Sequence, residues 1–232
     1  MGSDIVKGIE IDMNPKTWFT IPIMGGIPVT DAVCVSWMVV AGLIIFGLIV
    51  RFYYFPKFQE IPRGFQNILE LFVEWIYRFT GDSTHEFGNG LAPYVGSLAL
   101  YLAFTNTIEL IGLRPPTTYI AITLALSIMT FFLINYYGIR KKGVWGRIRD
   151  YGKPVPFIAP IKVITDLAIP VSLASRLFGN ILGGLVVMEL IRKVVPLVVP
   201  AFLSIYFTLF DGIIQTFIFI TLSLAFIQEA IE

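Results

Sequence analysis

Charge is what this chain has least of. Of its 232 residues 14% are charged and 56% are apolar, and the mean hydropathy is +0.79. Soluble domains carry about 25% charged residues, so a globule of this length would lack a polar shell. The few charges nearly cancel, seventeen Lys and Arg against sixteen Asp and Glu. With no basic or acidic surplus, nothing points to a nucleic acid partner. Cys34 is the sole cysteine, which excludes an intrachain disulfide, and at the start of an apolar run it reads as a small apolar residue. His85 is the sole histidine, which leaves no His/Cys metal site. Neither GxxxxGKS/T nor a strand-borne GxGxxG occurs. No cofactor is therefore expected, and any nucleotide the protein works with is bound by another chain. Disorder, a coiled coil and almost any soluble enzyme are excluded; a polytopic membrane protein remains.

What is present is a series of long apolar runs. Residues 32–50 are 19 positions without a charge, enough to cross a hydrocarbon core of about 30 Å. Arg51, Lys57 and Arg63 follow them. Residues 91–113 form a second run, broken by Glu109 and stopped by Arg114-Pro115-Pro116, and residues 118–139 form a third. Two overlong segments, 159–192 and 196–231, close the chain. At 1.5 Å per residue the first makes about 50 Å of helix, about 20 Å more than the core, so these helices must tilt strongly or bend. Pro170 and the cluster Gly179, Gly183 and Gly184 are the candidate bends. Residues 64–80 differ: Phe65, Ile68, Leu69, Phe72, Ile76 and Phe79 recur at helical spacing, with Glu70, Glu74 and Arg78 elsewhere. That is an amphipathic helix suited to the membrane surface. Residues 82–90 read as a loop.

The expected fold is an all-α polytopic membrane protein with five transmembrane helices and an amphipathic surface helix, the last two spans long and strongly tilted. Residues 31–232 make one membrane domain. Residues 1–30 form an N-terminal segment without the order of a cleaved signal peptide. The positive-inside rule places 51–63 in the cytoplasm. It places there too the basic loop 140–153, with Arg140, Lys141, Lys142, Arg147, Arg149 and Lys153 against Asp150. The N-terminus then lies outside and the C-terminus inside, with Arg192 and Lys193 as an exception to the rule. There is no internal repeat to support an inverted-repeat transporter.

Five ionisable residues remain at membrane depth: Glu109, Asp166, Arg176, Glu189 and Asp211. Lys162 is near enough to its helix start to snorkel. Each buried charge costs roughly 2.5–3.5 kcal/mol and faces a partner, a cavity or a pathway. Arg176 stands out, because positions 172, 173, 179 and 180 hold no acid and its guanidinium stays protonated. Three readings are open: a carboxylate on another helix of this chain, a ligand, or a carboxylate on another subunit faced so as to block ion leakage. Arg176, Asn180, Gly183 and Val187 share one stripe, beside small residues that admit a close helix neighbour. Ser204, Thr208, Asp211 and Gln215 form a second polar stripe on the last helix. Such stripes mark either a hydrated path or interhelical hydrogen bonding.

The segment Pro170-Val171-Ser172-Leu173-Ala174-Ser175-Arg176-Leu177-Phe178-Gly179-Asn180 closely resembles the signature of subunit a of the F-type ATP synthase membrane sector. Ile214-Gln215-Thr216-Phe217-Ile218-Phe219 and Asn106-Thr107-Ile108-Glu109-Leu110-Ile111-Gly112-Leu113 are similar to further family segments, and the resemblance covers roughly residues 30–230. It implies a non-catalytic stator subunit in a membrane, such as the bacterial plasma membrane. Its partners would be a rotating ring of c subunits, the peripheral-stalk b subunits and the rest of the ATP synthase. Two aqueous half-channels would pass H⁺ or Na⁺ to and from the ring carboxylates, and the chemistry would occur in the soluble sector. The family's essential arginine maps onto Arg176. Asn180 and Gln215 match polar residues beside it and the outer channel, Asn106 and Glu109 a polar-acidic pair at that channel, and Asp166 a region of acids near the inner one.

Two positions depart from the family. Leu185 stands nine residues after the arginine and Thr208 seven before the glutamine, where many relatives carry titratable groups. Glu189 and Asp211, four and three residues further on, are the expected displaced relays. Glu189 meeting Arg192 or Lys193 at the interface is the competing reading. Two rival functions are a stand-alone secondary ion transporter and an intramembrane aspartyl protease pairing Asp166 with Asp211. The first would show a substrate cavity and inverted repeats.

Overall fold

Residues Thr17–Ile21 and Ile27–Thr30 are rich in β-branched and aromatic side chains, which suit extended chain. In the computed structural model they pair antiparallel as strands β1 and β2. The structure describes residues 17–21, 27–84, 87–151, 159–194 and 198–232. His85 and Lys153 lie outside the described residues, as does the Arg192 side chain. This hairpin is absent from the sequence-based expectation. Strands this short carry little signal, and a lone pair is marginal in water; here Val29 is buried.

Helix α1, Asp31–Ile49, starts on an acid that suits the positive helix N-terminus. It runs on through a π-turn, Val50–Tyr54, and a 3₁₀ turn, Phe55–Lys57. Its inward contacts are few: Ala32, Val35 and Val39 are buried, and most of its large apolar side chains face outward. At its start, the Tyr119 hydroxyl donates to Asp31 Oδ2 (3.0 Å). Burial, then that carboxylate, hold the Tyr119 phenol above its ordinary range.

Helix α2, Phe65–Thr84, is the amphipathic element. Ile76, Thr80 and Thr84 are buried on one side, while Arg78 and Glu74 pair at 2.7 Å on the exposed side. Ile68, expected on the apolar face, stays exposed. The helix runs past the expected end, and α3, Gly88–Thr107, starts four residues after Thr84, so most of the loop expected at 82–90 is helical. Glycine permits the close approach of the two helix ends: a Cβ on Gly88 would lie 2.8 Å from the Gly81 Cα. After α3 comes a 3₁₀ turn, Ile108–Ile111, which ends at Gly112 with φ 83°.

Helix α4, Ile120–Tyr151, contains a break at Gly143 (φ 73°, ψ 165°). The described part of the basic stretch expected as a loop is therefore mostly helical, two helical pieces meeting at a kink that glycine's access to positive φ allows. Helix α5, Ala159–Val194, is 36 residues long and helical throughout. Neither Pro170 nor the glycine cluster interrupts it. The irregular turn lies instead in the last span, where α6, Val198–Tyr206, passes into a π-turn, Phe207–Asp211, and then α7, Gly212–Ile231.

Among the described residues five segments are long and apolar enough to cross a membrane: Asp31–Lys57, Gly88–Ile111, Ile120–Arg147, Ala159–Ile191 and Phe202–Ile231. This is the expected all-α polytopic membrane architecture. Leu91 and Leu102 of α3, Ile134 of α4, Leu173 and Leu177 of α5, and Phe219 and Leu224 of α7 meet in the core. Lipid offers no hydrogen bonds, so buried hydroxyls must find them internally. Thr80, Ser127, Thr216 and Ser223 each donate to the carbonyl four residues back. Tyr94–Thr130 (3.1 Å) and Ser36–Tyr101 (3.2 Å) join neighbouring helices.

Candidate functional site

Arg176 is the eighteenth residue of its 33-residue span, Ala159–Ile191, and so sits near its middle. Leu173, Ala174 and Leu177 turn into the core, which leaves Arg176 on the outward face. Among the described residues it makes no hydrogen bond or ion pair. Asn180, Gly183 and Val187 of the same stripe are exposed with it. A Cβ added to Gly179, Gly183 or Gly184 would meet nothing within 4 Å. The small-residue patch, read as a seat for a close helix neighbour, is thus uncovered by the described residues of this chain.

Behind that face lies a first cavity of ≈ 30 Å³, enough for a water molecule or two. Asn106, Glu109, Thr208, Asp211 and Gln215 are its polar lining. Leu185 lines it too, so both departures from the family pattern face the same space as Glu109 and Asp211. Asn106 Nδ2 donates to the Gly212 carbonyl (3.4 Å), and Asn106 Oδ1 accepts from Thr117 Oγ1 (3.2 Å). The close approach of α3 to α7 favours a glycine, because a Cβ on Gly212 would lie 3.1 Å from the Asn106 Cβ and one side would have to give. Gln215 is 1% exposed. Its Oε1 accepts from Asn180 Nδ2, while its buried Nε2 finds no acceptor among the described residues. An unpaired buried donor costs about 1–3 kcal/mol, a cost that a hydrated cavity removes.

A second cavity, ≈ 380 Å³, opens between α5 and α6, lined by Asn180, Gly183, Gly184, Tyr206, Phe210 and Asp211 among others. A third, ≈ 350 Å³, lies toward the start of α5, with Lys142, Arg147, Lys162, Asp166, Glu229 and Glu232 in its wall. There Arg147 Nη2 pairs with Asp166 Oδ2 (3.3 Å), and Nη1 donates to the Ala230 carbonyl (3.2 Å). One guanidinium thereby ties α4, α5 and α7 together.

The structure therefore gathers Asn106, Glu109, Asn180, Asp211 and Gln215. It sets Asp166 apart, ten residues or about 15 Å before Arg176 along α5. Glu189 is half-buried and is not in the linings of these three cavities. Sequence reasoning missed Thr117 and Arg147. Thr117 bonds across eleven residues and Arg147 across nineteen, outside any local pattern; only the basic run hinted at Arg147.

Residues 35–228 match the ATP synthase A chain family. The chain belongs to the ATP synthase subunit a family. It is 34% identical over 210 residues to ATP synthase subunit a of Moorella thermoacetica, covering 90% of this chain and 94% of that protein. It is 33% identical to ATP synthase subunit a 2 of Acaryochloris marina, over 84% of this chain and 82% of that one. A relative from Propionigenium modestum, described as sodium ion specific, is 28% identical over 89% of this chain and 75% of its own. Membership makes this chain a non-catalytic, ion-transporting integral membrane subunit that assembles with the rest of the ATP synthase, whose catalysis lies in the soluble sector.

Proposed function

We propose that this chain is the stator ion-channel subunit of a rotary F-type ATP synthase, facing a c-subunit ring with the stripe Arg176, Asn180 and Gly183 and held by peripheral-stalk b subunits. The observation that carries the reading is the exposed Arg176 guanidinium, without a partner among the described residues, at mid-span on a face of bare glycines. A permanent charge there is costly without a partner, and a carboxylate on a passing ring subunit would supply one.

In this reading the cavity with Asn106, Glu109 and Gln215 belongs to a half-channel from outside, and the one around Asp166 to a half-channel from the cytoplasm. Arg176 stands between them and stops ions from crossing directly. A ring carboxylate in lipid favours its neutral, ion-loaded state; beside Arg176 it favours the charged state. That difference biases rotation. One charge crossing 100 mV yields only about 2.3 kcal/mol, so a rotor must add several ions for each ATP. The ion is H⁺ or Na⁺. Of the two displaced acids, the cavity linings favour Asp211 over Glu189. Residues 1–30 lie outside, residues 31–232 form the membrane domain with its long spans tilted, the C-terminus lies in the cytoplasm, and the membrane is a bacterial plasma membrane.

The test is purification followed by one substitution. The chain should co-purify with an oligomeric ring and a soluble ATPase. Arg176→Ala should abolish ion-driven ATP synthesis while soluble-sector ATP hydrolysis persists. A functional lone chain, or normal synthesis by Arg176→Ala, would refute the reading.

A further inference from the structure

The basic stretch at the end of α4 divides its side chains between two surroundings. Arg140, Lys141 and Lys142 follow directly on the apolar run 118–139. Gly143 then turns the chain, and a short helical piece runs on to Tyr151. Lys142 and Arg147 line the third cavity, whereas Arg140, Lys141 and Arg149 are exposed. Among them stands Trp145, 84% exposed, the most exposed large apolar side chain of the described residues. An indole has an apolar body and one N–H donor, and tryptophan gathers where membrane meets water. Arg140 Cζ and Lys141 Nζ each lie 5.9 Å from the centre of the Phe87 ring, at the start of α3. The two cations thus stand where the amphipathic helix α2 gives way to α3, and α2 presents Leu71 and Trp75 outward. Exposed cations, an exposed indole and a surface-seeking helix are neighbours in the fold.

We propose that Arg140, Lys141, Trp145 and Arg149 form a docking surface for the phosphate headgroups of anionic phospholipids. Basic clusters directly after a membrane span attract anionic lipid, and the guanidinium fork matches phosphate oxygens two at a time. Within 140–151 the one acid is Asp150, so the stretch is net positive. Trp145 sets its ring against the acyl chains and leaves its N–H at headgroup level. The same short piece carries Arg147, whose guanidinium joins Asp166 to the Ala230 carbonyl. Headgroups that settle the piece therefore also steady the tie among α4, α5 and α7. The surface belongs to the leaflet and not to the ion path, so the inference stands apart from the ion-channel reading.

The experiment uses intact ATP synthase in phosphatidylcholine nanodiscs doped with a trace of photoactivatable phosphatidylglycerol. After illumination the labelled peptides are read by mass spectrometry. Label should fall on residues 140–151 and weaken as salt is raised. Unlabelled phosphatidylglycerol should displace it, and neither phosphatidylcholine nor inorganic phosphate should. The triple variant Arg140→Gln, Lys141→Gln, Arg149→Gln should lower labelling by about tenfold or more, and Trp145→Ala by several-fold. Equal labelling by photoactivatable phosphatidylcholine overturns the proposal, as does unchanged labelling of the triple variant. Displacement by inorganic phosphate assigns the patch to a free anion and overturns the lipid. If 140–151 stays unlabelled and a carbodiimide joins Lys141 to an acidic side chain of another subunit, a protein covers the surface and the proposal falls. Should the triple variant fail to assemble, the salt and competition arms on the unaltered enzyme decide, and labelling indifferent to both overturns the proposal.

Discussion

Asn180 on α5 donates its side-chain amide to Gln215 Oε1 on α7, one helical turn beyond Arg176. The bond fixes the spacing of the two long helices at the level where the guanidinium faces outward. Asn180→Leu and Gln215→Leu should each lower ATP-driven ion transport several-fold. A double-mutant cycle on thermal stability should return a coupling of about 0.6–2 kcal/mol, the range for hydrogen bonds between membrane helices. Additive effects would mean that the contact does not hold the helices.

Arg176→Lys keeps the charge and loses the fork. A lysine ammonium is compact, strongly hydrated and free to lose its proton when desolvated, whereas guanidinium stays charged and presents five fixed donors. Arg176→Lys should therefore assemble normally yet fail in ATP synthesis almost as completely as Arg176→Ala. Synthesis at the unaltered rate would show that charge alone suffices.

Gly212→Ala places a methyl 3.1 Å from the Asn106 Cβ, against the helix that carries Asn106. Overpacking of this kind costs about 1–3 kcal/mol. The melting temperature in detergent should fall. Because the clash is with a Cβ, Asn106→Gly should recover part of the loss in the double variant and Asn106→Ala should not. Equal rescue by both would refute the close approach of α3 to α7.

The Arg147–Asp166 pair has side chains 14% and 24% exposed, against 72% and 68% for Arg78–Glu74. A part-buried pair is screened less by water than an exposed one, which contributes about 0–1 kcal/mol. Asp166→Asn should thus destabilise the protein well beyond Glu74→Gln in thermal unfolding. Similar shifts would show that Arg147 is carried by its other contacts.

The spans were legible because a charge-free run such as 32–50 has one comfortable solvent. Arg176 was legible because an arginine with no acid within a turn has no local explanation. What escaped the sequence has distant or backbone causes. The Gly143 break looks like any glycine until φ is known. The π-turn at 207–211 leaves the period of Ser204, Thr208, Asp211 and Gln215 nearly intact, so the stripe was visible and its irregularity was not. Pro170 is a strong local breaker, yet the helix runs on through it to Val194. Arg147 meets Asp166 nineteen residues away, a pairing that no periodicity encodes. At the site, Glu189 and Asp211 looked equivalent by spacing, and only the cavity linings separate them.

The bare face of α5 has a mechanical meaning. Packed helices normally lock by setting ridges of side chains into grooves, at a few preferred angles. Gly179, Gly183 and Gly184 contribute no side chain to such a ridge. A helix laid here can come close to the backbone. On the proposed reading, in which a ring passes this face, the same glycines that bring Arg176 within reach of it serve as a bearing.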